Sequence, residues 1–171
     1  KHPNWNMGKK ISIDSATMMN KVFEVIEAQR IFDIELKKFK ILVHPNSYVH
    51  SIVKFTNGTT KILVHDTNMK IPIFNTLYQN SNKKLMSRKL DITKLNNLNF
   101  KNIDKKKFPI INILNYVSKK FSLYETVIVS ANDLLVELFL KGKIKFLDIS
   151  KYLNKIVKLK EFKKFKRILP T

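Results

Sequence analysis

Ser15, Asn20, Lys21 and Glu24 place a hydroxyl, an amide, an ammonium and a carboxylate in one short stretch. A hydroxyl, an amide and a point charge together suit a phosphate. If the stretch is helical, Asn20 and Glu24 share a face with Lys21 beside them. Ser15 then falls at or near the helix start, where free backbone N–H groups favour an anion. A carboxylate beside a phosphate is repelled unless something positive lies between them. Mg2+ or Mn2+ meets that need, because hard cations take oxygen ligands. A lone Glu holds such an ion poorly, and Asp14 is the nearest local source of a second carboxylate. The bland reading of the same stripe is a solvated helix face.

Upstream, His2-Pro-Asn-Trp-Asn-Met-Gly8 reads as a loop. Trp5 and Met7 are an apolar pair on a polar segment between Pro3 and Gly8. They suit a lid over a ligand, or an anchor of the loop to the core. Gly8 permits close backbone approach to a ligand, although a turn alone would explain it. His2, His44, His50 and His65 lack zinc-protease spacing. His44 and His65 read as structural or surface residues. His50, near Ser47 at a strand start, is a candidate for a site wall.

The positioning elements follow from periodicity. Ile11-Ser-Ile13 reads as a short extended lead-in, and Asp14 or Ser15 as the N-cap of the next helix. From Ala16 to Phe32 the apolar residues recur at helical spacing, leaving Asn20, Lys21, Glu24 and Glu27 as a polar stripe. Strands are expected over 40–44, 48–55 and 59–65, with Asn57-Gly58 turning the last two into a hairpin. Strict alternation puts Val49, Ser51, Val53 and Phe55 on one face of the middle strand and Tyr48, His50, Ile52 and Lys54 on the other. Residues 69–77 read as a turn into a short helix. Residues 79–107 are polar and Asn- and Lys-rich, a long connection with short elements near Leu90–Leu95 and Leu98–Phe100. Helices are expected over 108–120, 124–140 and 149–165, with Gly142 ending the second. The fold class is therefore α+β. Residues 1–78 form part of an α/β domain, 79–107 a linker, and 108–171 a helical bundle.

The chain of 171 residues carries a net charge of +20. Residues 1–75 hold 11 basic and 6 acidic residues, and residues 76–171 hold 22 and 7. The surplus is nearly all Lys in a composition also rich in Asn and Ile, as A+T-biased codons produce. Most of these lysines read as solvated surface. A basic nucleic-acid-binding module built on the Lys-rich helices from Phe108 onward is the alternative, but no nucleic-acid motif accompanies the charge. There is no cysteine, which excludes disulfides and thiolate metal sites. No apolar run is long enough to span a bilayer, and the polar N-terminus is not a signal peptide.

The ordered motifs resemble those of the 1-deoxy-D-xylulose 5-phosphate reductoisomerase family. They are His2-Pro-Asn-Trp-Asn-Met-Gly8 with Asp14-Ser-Ala-Thr-Met-Met-Asn-Lys21, Glu24 and Glu27-Ala28. The resemblance continues through His44-Pro-Asn-Ser-Tyr-Val-His-Ser51, Met69-Lys-Ile-Pro-Ile73, Leu90-Asp91, Leu95, Phe108-Pro109, Ala131-Asn132-Asp133, Phe139-Leu140 and Gly142-Lys-Ile. The first two motifs are long and specific; the helical tail is weaker. The departures are Val22 for a usual Gly, Asn46 for Gln, Thr67-Asn68 for Pro-Asp, and Val129 and Asp133 for Asn and Glu.

The resemblance implies a homodimeric enzyme that rearranges 1-deoxy-D-xylulose 5-phosphate and reduces it with NADPH, using Mg2+ or Mn2+. Its product, 2-C-methyl-D-erythritol 4-phosphate, leads to isoprenoids. By that resemblance Ser15, Asn20 and Lys21 bind the phosphate and His2 binds substrate. Glu24 is a metal ligand close to the substrate and the one catalytic residue in this chain. Trp5 and Met7 belong to the flap over the substrate. Gly8 and Met69 lie near NADPH. The chain resembles the second half of the catalytic domain, the linker and the helical domain, starting mid-domain. The NADPH-binding Rossmann domain and the segment supplying the other two metal carboxylates are expected to be missing, so the chain alone is expected to be inactive. The partners expected are a phosphosugar and a second copy, with neither nucleic acid nor membrane. Composition and resemblance together suggest the plastid (apicoplast) of a parasite, or otherwise the cytoplasm.

Overall fold

The structure, a computed structural model, describes residues 8–170. It resolves into two compact units: residue 42 to residue 102 make one, and the described residues before and after that span make the other. These units cut across the segments drawn from the sequence. The reason is contact rather than chain order: the first two helices pack into the helical unit together with residues beyond 103.

The helical unit opens with α1 (Lys9–Thr17) and α2 (Met19–Phe32). This corrects two expectations. Residues 11–13 are helical rather than extended, and Asp14 and Ser15 lie inside α1 rather than capping the next helix. Ile11 and Ile13 suggested alternation, but Asp14 and Thr17 are the buried positions, three apart, while Ile11 is exposed. The break falls at Met18, in the left-handed region at φ 69°. No glycine or proline marks it. The Thr17 hydroxyl helps make the break, donating to the Ile13 carbonyl at 3.0 Å and accepting from Met19 N–H at 3.4 Å. Beyond it, Met19, Val22, Val25, Ile26 and Gln29 form the buried face of α2 at helical spacing.

Residues Pro109–Tyr116 form 3₁₀ turns where an α-helix was expected. The run is rich in β-branched Ile and in Asn, which favour an α-helix weakly. Ile110 and Ile113 are buried three apart, a spacing that a three-residue turn puts on one side. This segment packs on both α2 and α6. α5 (Tyr124–Leu140) has the expected bounds, and Gly142, at φ 70°, follows its end. The last expected helix is shifted and divided into α6 (Phe146–Ile156) and α7 (Lys160–Lys163), then a 3₁₀ turn at Lys164–Arg167. α6 starts early because the Asp148 carboxylate accepts from Lys145 N–H at 3.0 Å, closing its first turn. The core gathers Met19, Val22, Ile110, Ile128, Ile149 and Leu153, all fully buried. Arg30 ties α2 to the chain before α5, donating to the Ser118 and Lys119 carbonyls at 3.1 Å and pairing with Glu125.

The second unit holds two antiparallel pairs. β1 (Leu42–Val43) pairs with β4 (Lys101–Asn102), and β2 (Val49–Lys54) with β3 (Thr60–Val64). The Asn57-Gly58 hairpin is present, with Gly58 at φ 87°. The register slips between Val49 and Ser51, so the strict alternation expected along this strand is broken at His50. α3 (Lys70–Leu77) follows, then α4 (Ile92–Asn96), whose first turn is capped by Asp91 accepting from Lys94 N–H at 3.2 Å. Among the described residues no helix is long and apolar enough to cross a membrane.

Candidate functional site

The left-handed residue Met18 turns α1 back on α2, so that the last turn of one lies beside the first turn of the next. Ser15 and Asn20 meet there: the Asn20 Nδ2 donates to Ser15 Oγ at 2.7 Å. The hydroxyl accepts this bond and keeps its own proton for another acceptor. One residue on, Lys21 Nζ lies 2.6 Å from Glu24 Oε2. Both side chains are well exposed, so the pair costs little to open. The first turn of α2, with its partial positive charge, carries Asn20 and Lys21; Ser15 is bonded to Asn20, and Glu24 lies one turn further on.

The anion-favouring helix end is therefore that of α2, and Ser15 reaches it from the C-terminal turn of α1. The earlier placement of Ser15 at its own helix start is corrected. Its nearness to Asn20 and Lys21 survives, because the kink brings together in space what a single helix would have spread around its axis.

Asp14 does not stand free as a second metal carboxylate. It is 1% exposed, and its oxygens meet Lys10 Nζ at 2.7 Å and Asn132 Nδ2 at 2.9 Å. Lys10 also reaches Asp133 at 3.0 Å. Burial pulls the Lys10 ammonium down, but the two aspartates outweigh it and hold its pKa above the usual 10.5. Among the described residues no three carboxylate or imidazole groups gather to hold a metal. Glu24 fits as one oxygen ligand of a hard cation whose others come from elsewhere.

Gly8 is exposed and leads into α1, its carbonyl accepting from Ser12 N–H at 3.0 Å. A Cβ there would meet nothing within 4 Å, so packing among the described residues does not require a glycine. His2, Trp5 and Met7 lie outside the described residues. Met69 precedes α3 in the second unit and is half exposed. In that unit His50 stacks on His65, ring centroids 3.6 Å apart, and His44 meets the Asn99 carbonyl at 3.0 Å. The buried Asp14–Asn132 contact was missed from sequence. Its only signal was that Asn132 belonged to a recognised motif, with nothing to say which residue it faced.

Two family models match the chain: the DXP reductoisomerase C-terminal domain over residues 65–170, and the 1-deoxy-D-xylulose 5-phosphate reductoisomerase C-terminal domain over residues 1–32. The 1-deoxy-D-xylulose 5-phosphate reductoisomerase of Pelagibacter ubique is 64% identical over 170 residues, covering 99% of this chain and 44% of that protein. The one from Sulfurihydrogenibium is 44% identical, covering 88% of this chain and 40% of that protein. A solved DOX-P reductoisomerase with fosmidomycin and magnesium superposes with a TM-score of 0.84 at 34% identity, over 96% of this chain and 41% of that one. The Zymomonas mobilis enzyme in complex with NADPH gives 0.77 at 35% identity, over 92% and 44%. The chain thus spans about two fifths of the length of the curated relatives it matches. These relatives are bacterial, and a plastid has no support from them; nor does the nucleic-acid alternative. With a family model matched over more than half its length, and solved relatives sharing its fold, the chain belongs to the 1-deoxy-D-xylulose 5-phosphate reductoisomerase family.

Proposed function

We propose that this chain supplies the phosphate cradle, one metal ligand and the helical support of an enzyme converting 1-deoxy-D-xylulose 5-phosphate to 2-C-methyl-D-erythritol 4-phosphate. The observation that carries this is the meeting of Ser15, Asn20 and Lys21 at the start of α2, in a chain 64% identical to a named reductoisomerase. Ser15 donates its hydroxyl proton, and Asn20 an amide proton, to phosphate oxygens. Lys21 swings from Glu24 to the phosphate, adding charge without a fixed fork. Glu24, exposed beside Lys21, would hold Mg2+ or Mn2+ as one of its oxygen ligands. When bound, the ion would polarise the substrate's oxygens and NADPH would supply the hydride. His2, Trp5 and Met7 close over the substrate and exclude water.

Among the described residues there is no parallel sheet of a Rossmann domain and no cluster of carboxylates around Glu24, so on this reading the chain alone does not turn over substrate. Residues 1–78 serve as catalytic-domain sequence, 79–107 as the connection and 108–171 as the helical domain. The exposed apolar side chains Ile52, Val53, Phe55, Ile62 and Leu63 on the β2–β3 ribbon support burial against further protein, the enzyme acting as a homodimer. Bacterial relatives support a cytoplasmic rather than a plastid setting.

The test is NADPH oxidation by the full-length protein given 1-deoxy-D-xylulose 5-phosphate, with divalent metal present or chelated. Turnover that needs both metal and substrate is expected. Its absence in a folded, metal-replete protein sinks the reading.

A further inference from the structure

We propose that Asn132 is a positioning residue which, through Asp14, holds Ser15 and Asn20 in register for a phosphate; this rests on the function proposed above. α1 buries only Asp14 and Thr17, and neither is aliphatic. Of its aliphatic side chains only Ile13, partly buried, packs against the core, and such packing is non-directional, so it sets the rotation of α1 loosely. A directional tie does so instead. The Asp14 carboxylate, 1% exposed, takes one hydrogen bond from Lys10 and one from Asn132, which lies on α5 and is fully buried.

A buried carboxylate persists only when such partners satisfy it. The Asn132 amide has no freedom to flip, since that would put oxygen against oxygen at 2.9 Å. Ser15 is the next residue along α1. Its carbonyl accepts from Met18 N–H at 3.2 Å at the kink, and its hydroxyl meets Asn20 at 2.7 Å. Any slip of Asp14 along α5 moves Ser15 away from Asn20 by a comparable distance. Among the described residues the Asn132 amide bonds Asp14, and Ser15 and Asn20 bond each other, so Asn132 acts through Asp14.

The experiment compares full-length wild type with Asn132→Leu, Asn132→Ser and the swapped pair Asp14→Asn with Asn132→Asp. Two quantities are read. One is the apparent affinity for inorganic phosphate, from the 15N–1H shifts of Ser15, Asn20 and Lys21. The other is KM for 1-deoxy-D-xylulose 5-phosphate beside KM for NADPH. The single variants are expected to weaken phosphate binding and raise the sugar-phosphate KM roughly tenfold or more, with the NADPH KM nearly unchanged. The swapped pair restores the hydrogen bond with its polarity reversed but moves the charge away from Lys10 to a fully buried position whose other oxygen has no partner, so it is expected to recover part of that loss.

A lower melting temperature with phosphate affinity and KM unmoved, in whichever single variant folds, overturns the proposal in favour of a purely structural tie. Wild type that binds no phosphate at these residues overturns it as well. Wild type that binds phosphate but does not turn over substrate defeats only the proposed reaction, and the phosphate arm still tests the positioning role.

Discussion

Replacing Glu24 by Gln separates chemistry from folding because the structure makes the folding cost small. Glu24 Oε2 lies 2.6 Å from Lys21 Nζ, with the two side chains 56% and 40% exposed. In water, charges at that distance attract by about 1.6 kcal/mol. Ordering two long side chains takes back most of this, and measured exposed pairs contribute ~0–1 kcal/mol. Gln keeps the size and one oxygen but loses the charge, so the melting temperature of the full-length protein should move by no more than about 2–4 °C. Against that, losing a charged direct ligand should weaken metal binding and turnover by more than the ~10- to 100-fold typical of an outer-shell partner. The assay is NADPH oxidation across a Mg2+ titration, beside a thermal melt. The expected result is a near-native melt, a higher metal requirement and much reduced turnover. Turnover within threefold of wild type at every metal concentration would refute the assignment of Glu24. A melt lowered far beyond the range above would refute the claim that its ion pair is dispensable.

Three further outcomes are expected. Leu153→Ala, at a fully buried position of α6, should cost about 2–5 kcal/mol and raise hydrogen exchange in α5 and α6; unchanged exchange there would contradict the core described. Gly142→Ala should cost about 1 kcal/mol, because φ is 70° while a Cβ would meet no neighbour; a neutral melt would mean the turn relaxes. Lys10→Met should narrow the stability gap to wild type as pH rises. The Lys10 pKa in the fold lies above its usual 10.5, so its contribution is complete below that value and is lost as pH climbs through the folded pKa. Melts of both proteins from neutral to strongly alkaline pH check this, and a gap that stays constant counts against the pairing with Asp14 and Asp133.

The bounds of α5, the Asn57-Gly58 hairpin and the buried face of α2 were legible in the sequence because each is a local signal. A helix repeats its apolar positions within a turn or two, and a two-residue hairpin advertises its own left-handed glycine. Val22 shows the limit. It stands where related chains were expected to carry glycine, and only the fold shows that it fills the core with no exposed surface.

The residue types of the cradle were likewise fixed by sequence: Ser15, Asn20, Lys21 and Glu24 are phosphate- and cation-binding groups wherever the chain puts them. Tertiary structure decided how they meet. The kink at Met18 has no residue signature, since a methionine enters the left-handed region only where surrounding contacts outweigh its cost of about 1–2 kcal/mol. Asp14 read as a cap or a metal ligand, because a carboxylate near a helix start suits either. Beside Lys10, four residues away on the same helix, its other partner Asn132 lies 118 residues away, and a hydrogen bond across that separation exists only after α1 and α5 have packed. Sequence chose the chemical groups; the long-range contacts, which no local pattern encodes, set the geometry in which they work.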